Sequence, residues 1–118
     1  MFNLFGGGAA KTRLTSADAI AKCAAGEMTV IDCREASELA GGTALGGLHI
    51  PLALLPLKAD PKGPGHDPRL DPARPVAVFC ASGGRSGMAV QVLQRLGYEA
   101  HNIGGFGDWC AAGGPVTR

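Results

Sequence analysis

One stretch of this chain holds the residues best suited to covalent chemistry: Phe79-Cys80-Ala81-Ser82-Gly83-Gly84-Arg85-Ser86-Gly87. A cysteine becomes a strong nucleophile as its thiolate, and its surroundings decide how readily it ionises. Cys80 follows an apolar run, Val76-Ala77-Val78-Phe79, of the kind that forms a strand. It precedes a run from about Ser86 to Leu96 of the kind that forms a helix. Glycines let the loop amides turn inward as a nest, and a helix start adds roughly half a positive charge. With Arg85 at the helix mouth, the loop reads as an anion-receiving cradle, and Cys80 is expected to be a nucleophile at neutral pH. An inert structural cysteine would leave both glycines, Arg85 and the strand-to-helix setting without a purpose. Arg85 is also poorly placed at a helix start unless an anion is near.

The elements that must position this loop are readable around it. Thr15 or Ser16 caps a helix that runs to about Ala25, with Asp18 completing a short capping box and Gly26 ending it. Cys23 falls on the apolar face of that helix with Ile20 and Ala24 and is expected in the core. Met28 to Asp32 reads as a buried parallel strand whose end presents Asp32-Cys33-Arg34-Glu35 to a cleft. Ala36 to Ala40 predicts one or two helical turns stopped by Gly41-Gly42. A turn, a very short strand near His49 and a short helix over Leu52 to Lys58 come next. Residues 59–75, with Pro61, Pro64, Pro68, Pro72 and Pro75, predict a surface loop in which His66 is exposed. After the Cys80 loop, Met88, Val90, Val92, Leu93 and Leu96 form an apolar stripe, and Gly97 caps the helix. A strand over Tyr98 to Ile103, a glycine turn and a last short helix around Asp108 to Ala111 complete the order. Trp109 is expected as a core anchor. Strands alternating with helices indicate an α/β fold, with a parallel sheet covered on both faces and its site beyond the carboxyl ends of the strands.

Composition narrows the classes of function. The 118 residues are one domain's worth, read as a flexible N-terminal arm over 1–13 and a single domain over 14–118. A net charge of +1 without a basic block argues against nucleic acid or a membrane surface as the main partner. No run approaches the roughly 20 apolar residues that span a bilayer. The start, Met1-Phe2-Asn3-Leu4-Phe5, lacks the basic residues of a secretory signal, so a cytoplasmic location with reduced thiols is expected. Cys23, Cys33, Cys80 and Cys110 are widely spaced, with no C-x-x-C pair to suggest a zinc site or a thioredoxin-type motif. No metal and no cofactor is expected. Cys33 and Cys110 are read as packing residues, with a resolving thiol as the alternative role.

Three segments in order resemble the rhodanese-like sulfurtransferase family over about Thr15 to Val116. They are Val30-Ile31-Asp32-Cys33-Arg34-Glu35 with Glu38 and Gly46-Gly47-Leu48-His49-Ile50-Pro51; Val78 to Ser86; and Leu96-Gly97-Tyr98 leading to Gly104-Gly105-Phe106, Trp109 and Gly113-Gly114-Pro115-Val116. The resemblance implies a small five-stranded, mostly parallel sheet flanked by helices on both faces. It implies that Cys80 carries a persulfide between donor and acceptor. The amides of Ala81, Ser82, Gly83, Gly84, Arg85 and Ser86 would then stabilise the bound sulfur, and Arg85 would bind an anionic donor. Asp32 and Arg34 match the family's Asp-x-Arg element. Arg34 is grouped with the substrate-binding positions as a second cation at the cleft, its alternative being a buried ion pair with Asp32, Glu35 or Glu38. Ser82 either donates to the persulfide or shapes the loop. The histidine common in the family before a Pro-Gly-Ala turn is sought within Gly42-Thr43-Ala44-Leu45-Gly46-Gly47 and is missing there, a local difference.

Loop length separates two reactions on this scaffold. Cys80 to Arg85 is C-x4-R, whereas related phosphatases use C-x5-R, a wider ring of amides that fits a phosphoryl group. The shorter ring fits one extra sulfur atom. The expected activity is transfer of sulfane sulfur from a small anionic donor such as thiosulfate to cyanide, a thiol or a protein thiol acceptor. A phosphatase or arsenate reductase is the second reading, and a non-catalytic regulatory or interaction module the third.

Overall fold

The computed structural model describes residues 14–118, and the arm expected over 1–13 lies outside the described residues. The elements run α1 (Ser16–Ala24), β1 (Thr29–Asp32), β2 (Thr43–Ala44), β3 (Leu48–His49), α2 (Leu55–Lys58), β4 (Val76–Cys80), α3 (Gly84–Arg95), β5 (Ala100–Gly105), α4 (Phe106–Ala111) and β6 (Val116–Thr117). Helix α1 starts as its sequence predicts: Thr15 Oγ1 accepts from the Asp18 amide, and the Asp18 side chain accepts from the Thr15 amide. Short 3-10 turns cover Ala36–Gly41 and Leu52–Leu54.

The central sheet has four parallel strands in the order β3-β1-β4-β5. The resemblance implied five. Here Thr43 and Ala44 pair instead with Thr117 and Val116 in a separate antiparallel ribbon. The backbone turns away at Gly42, whose φ of +113° is a conformation that suits glycine, and Leu45 N–H donates to the Pro115 carbonyl at 2.9 Å.

Alternation along the strands sorts their side chains onto two faces. Ile31, Cys33, Val76, Val78 and Cys80 face α2 and α3 and pack with Leu55, Ala89 and Leu93. Val30, Ala77, Phe79 and Ile103 face α1 and α4 and pack with Ala19 and Trp109. Fully buried side chains such as Phe79 and Leu93 each contribute about 1.5–3 kcal/mol by burial. Trp109 is the anchor its sequence position suggested: it stacks on Phe79 at 6.1 Å between centroids and donates to the Pro115 carbonyl at 2.9 Å.

Two expectations change, at Met88 and at His66. Met88 sits on the outside of α3 at 59 % exposure, because Ala89 and Leu93 define the inward face. Residues 59–75 lack helix and strand but are tied down, with Leu70 buried and Tyr98 Oη donating to the Ala59 carbonyl at 2.7 Å. His66 is only half-exposed, and its Nε2 lies 3.0 Å from the Leu70 carbonyl. No helix among the described residues is long and apolar enough to cross a membrane.

Candidate active site

Cys80 ends β4 on the α3 face, and its side chain is buried. The chain then folds back over it. Gly83 adopts a φ of +106°, which a side chain would strain, and this turn directs its amide at the cysteine sulfur, N to Sγ 3.0 Å. Ser86, on the first turn of α3 and fully buried, brings its hydroxyl to 3.4 Å from Sγ. Burial pushes the Cys80 thiol up, but the Ser86 hydroxyl and the amides of Ser86, Ser82 and Gly83 outweigh it. The result is a pKa lowered from 9.0 to about 7. The lowered pKa favours the thiolate near neutrality, as a nucleophile requires.

A residue not singled out from the sequence buckles this loop to the sheet. Asn102 on β5 donates through Nδ2 to the Gly83 carbonyl at 2.9 Å. Its Oδ1 accepts from the Gly104 amide at 2.9 Å and from Ser86 Oγ at 2.8 Å. The one hydroxyl proton of Ser86 therefore has three acceptors in reach: Asn102 Oδ1, the Gly104 carbonyl at 3.4 Å and the Cys80 sulfur. While Cys80 is a thiol, Ser86 donates to Asn102 and can accept from the sulfur. When Cys80 ionises, that proton turns to Sγ, and Asn102 Oδ1 keeps the Gly104 amide. The position of Asn102 gave no signal of its own, because β5 reads Ala100-His101-Asn102-Ile103-Gly104-Gly105, with a second polar residue beside it. Gly105 pairs with Cys80 across a bulge, and a Cβ there would run into the Ala81 carbonyl oxygen. Backbone approaches backbone at that point, which only glycine permits.

The two arginines have different fates. Arg85 is half-exposed at the rim and forms a bidentate pair with Glu38, Nη1 to Oε1 2.6 Å and Nη2 to Oε2 2.9 Å. The Arg85 guanidinium and the Glu35 amide hold the Glu38 carboxyl down at about 2. Glu38, a candidate partner for Arg34 by sequence, is thus the partner of the loop arginine. Arg34 is not at the cleft as a substrate cation. It is buried, with Nε and Nη2 on the Asp32 carboxylate at 2.8–3.1 Å and Nη2 also on the Gly42 carbonyl at 2.8 Å. Its Cζ lies 4.6 Å from the Phe106 ring centroid. The cause is Asp32, buried beside it, which would be costly without a counter-charge. Thr43 completes that carboxylate at 2.7 Å.

His49, on β3, sets its Nε2 2.8 Å from the Arg34 carbonyl and so braces the segment that supplies Arg34 and Glu38. Cys33 is fully buried at the end of β1, and burial followed by the neighbouring Cys80 charge pushes its thiol up to about 12. Cys110 is exposed on α4 rather than packed. Cys23 is half-buried, which raises its pKa. Ala81, Ser82 and Gly84 lie on the exposed outer side of the loop. Among the described residues no group of three or more His, Cys, Asp or Glu side chains is arranged to hold a metal. A hollow of about 380 Å³ lined by Met28, Thr29, Leu48, Trp109 and others sits at the start of β1, the opposite end of the sheet from Cys80.

Comparison with known proteins agrees with this geometry. A Rhodopseudomonas palustris CGA009 protein of unknown function, described as a possible tyrosine phosphatase, superposes with a TM-score of 0.77 at 34% identity, covering 89% of this chain and 83% of that one. A rhodanese-related protein from Thermoplasma volcanium superposes with a TM-score of 0.72 at 30% identity, covering 91% of this chain and 98% of that one. The uncharacterized protein YqhL of Bacillus subtilis (strain 168) is 39% identical over 82 residues, 68% of this chain but only 59% of that protein's length. The family model for the Rhodanese-like domain matches residues 15–112, and the chain belongs to that family.

Proposed function

We propose that the protein is a sulfurtransferase that carries sulfane sulfur as a persulfide on Cys80 and delivers it to a thiophilic acceptor. One observation carries the reading: the Gly83 amide 3.0 Å from Sγ, in a ring that also directs Ser86 at the sulfur and brings Cys80 to about 7. The nucleophile ionises more readily than an ordinary thiol, and the amides that stabilise its charge are placed to stabilise a terminal sulfur in turn. With thiosulfate as donor, Cys80 S⁻ attacks the outer sulfur, the Sγ–S bond forms, the S–S bond of thiosulfate breaks and sulfite leaves. Attack by cyanide or a thiolate on the terminal sulfur returns Cys80 to S⁻. The four thiols, unpaired with one another, suit a reducing cytoplasmic setting.

A second reading, phosphatase, is favoured by the description of one structural neighbour. Two features weigh against it. The loop is C-x4-R, and the carboxyl at its rim, Glu38, is held ionised at about 2 by Arg85, so it has no proton to give a leaving alkoxide. The test mixes purified protein with thiosulfate and cyanide and measures thiocyanate, and separately weighs the protein after exposure to thiosulfate or an organic persulfide. Turnover and a one-sulfur gain, both absent in Cys80→Ser, are expected. Neither turnover nor gain with any donor overturns the reading, and hydrolysis of an aryl phosphate by the same preparation promotes the phosphatase.

A further inference from the structure

The mouth of the cradle is less positive than its sequence suggests. Arg34 is buried against Asp32 and the Gly42 carbonyl and cannot turn outward. Arg85 has both terminal nitrogens on Glu38. Glu38 is itself anchored twice, because its Oε1 also accepts from the Glu35 amide at 2.9 Å and so fastens the carboxylate to the 3-10 turn after β1. What remains for a ligand is the amide ring and the start of α3, enough for a thiolate or one extra sulfur. A dianion with a sulfonate head brings three more oxygens to the rim. The Arg85 guanidinium that would receive them has its charge balanced by Glu38 and one N–H of each terminal nitrogen turned to that carboxylate.

We infer that Glu38 is a specificity-determining residue: by holding Arg85 as a neutral ion pair at the mouth, it makes the cradle select a sulfane donor of lower charge, an organic persulfide (R–S–SH or its monoanion), over a dianion such as thiosulfate. This rests on the sulfur-transfer reading above. Cys80 S⁻ attacks the outer sulfur of R–S–SH; the new Sγ–S bond forms as the R–S–S bond breaks. R–S⁻ leaves, Cys80–S–SH keeps the proton, and no oxidant or reductant is consumed. Neither incoming donor nor departing thiolate needs Arg85 free.

Two measurements on wild type and Glu38→Gln test this. The first is the ratio of Cys80 alkylation rates by iodoacetate and iodoacetamide, an anionic and a neutral reagent of similar size. Removing one unit charge at the mouth of the cradle should raise that ratio about three- to tenfold, while the iodoacetamide rate reports that the cradle is intact. The second is the kcat/KM ratio for loading Cys80 from thiosulfate and from the persulfide of 2-mercaptoethanol, expected to favour the persulfide in wild type and to rise about threefold or more toward thiosulfate in the variant, mainly through KM. Arg85→Gln leaves the Glu38 charge uncompensated at the mouth and must move the alkylation ratio the other way, which keeps the test alive should Glu38→Gln fold poorly. Ratios that change less than threefold overturn the role of Glu38. Failure of both donors to load Cys80 overturns the sulfur-transfer reading instead, and the alkylation ratio still decides whether Glu38 screens charge.

Discussion

The carboxyl ends of β1 and β4 are neighbours, in register, and each presents a cysteine to the same face of the sheet. Asp32 pairs with Phe79, the Cys33 amide donates to the Phe79 carbonyl at 3.1 Å, and Cys33 and Cys80 share one core cluster. Both are buried to 1 % exposure or less. Yet Cys80 is brought down to about 7 and Cys33 is driven up to about 12. Burial acts on both in the same direction. The difference lies in the course of the chain beyond each strand. After Cys80 the chain folds back over the sulfur and aims amides at it. After Cys33 it leaves through Arg34, whose own amide donates to the Asp32 carboxylate at 3.0 Å, so that end of the sheet is organised around a buried ion pair. One strand end is built for reactivity and the other for architecture.

The largest effect should come from exchanging the two thiols' fates. Cys80→Ser should abolish the one-sulfur mass gain altogether, while Cys33→Ser keeps loading within about threefold of wild type. Loss of loading in Cys33→Ser, measured by intact mass, would erase the distinction. Next is the architectural end: Arg34→Met should cost about 3–5 kcal/mol in urea unfolding, because Asp32 is left as a buried charge without its counter-ion. The alkylation midpoint of Cys80 should stay near 7 in that variant wherever it is folded. A variant of unchanged stability would show that the pair does not brace the sheet.

Gly105→Ala tests the reactive end through its backbone. The added methyl meets the Ala81 carbonyl, backbone that cannot swing aside, and overpacking of this kind costs about 1–3 kcal/mol. Displacing the loop should slow iodoacetamide at pH 7 by about tenfold. An unchanged rate would mean that the loop tolerates a different course. The smallest shift is expected from Ser86→Ala, which removes one donor worth about 1 kcal/mol. The Cys80 alkylation midpoint should rise by about half a unit to one unit, with little change in unfolding free energy beyond that of a lost hydroxyl.

The same contrast has a signature in pH-dependent stability. Cys80 titrates lower in the fold than its ordinary 9.0, so its ionisation stabilises the native state: the contribution is present above 9 and is lost as pH falls through about 7. Cys33 titrates higher, so its contribution has the opposite sign: it is present below 9 and is lost as pH rises toward 12. Between pH 7 and 9, wild type should gain stability relative to Cys80→Ser. The difference from Cys33→Ser should stay flat over that window. Parallel curves for the two variants would contradict the assignment.

Much of the fold is legible in the chain because its signals are local. The Thr15–Asp18 capping box, the apolar runs of β1 and β4 and the glycine after Cys80 act over a few residues, and each sits where its pattern places it. Met88 departs from its pattern because an apolar stripe read by residue type cannot tell a core face from a rim, and small Ala89 occupies the inward position. The site divides the same way. The nucleophile and the residues of its ring are contiguous in sequence. Asn102, Gly105 and Glu38 are not: Asn102 meets Ser86 across 16 residues and Glu38 meets Arg85 across 47. No periodicity or spacing rule pairs residues that far apart.

The chemistry on offer is written in the sequence: a cysteine at a strand end, a four-residue loop to an arginine, and a glycine able to take the φ that turns an amide onto sulfur. Those depend on covalent neighbours and backbone freedom, which travel with the chain. Which charges face that cysteine is a property of the folded molecule alone. By sequence, Arg34 and Arg85 are two cations at one cleft. The fold buries one against Asp32 and balances the other with Glu38, because a charge is settled by its nearest opposite in space and not by its place in the chain.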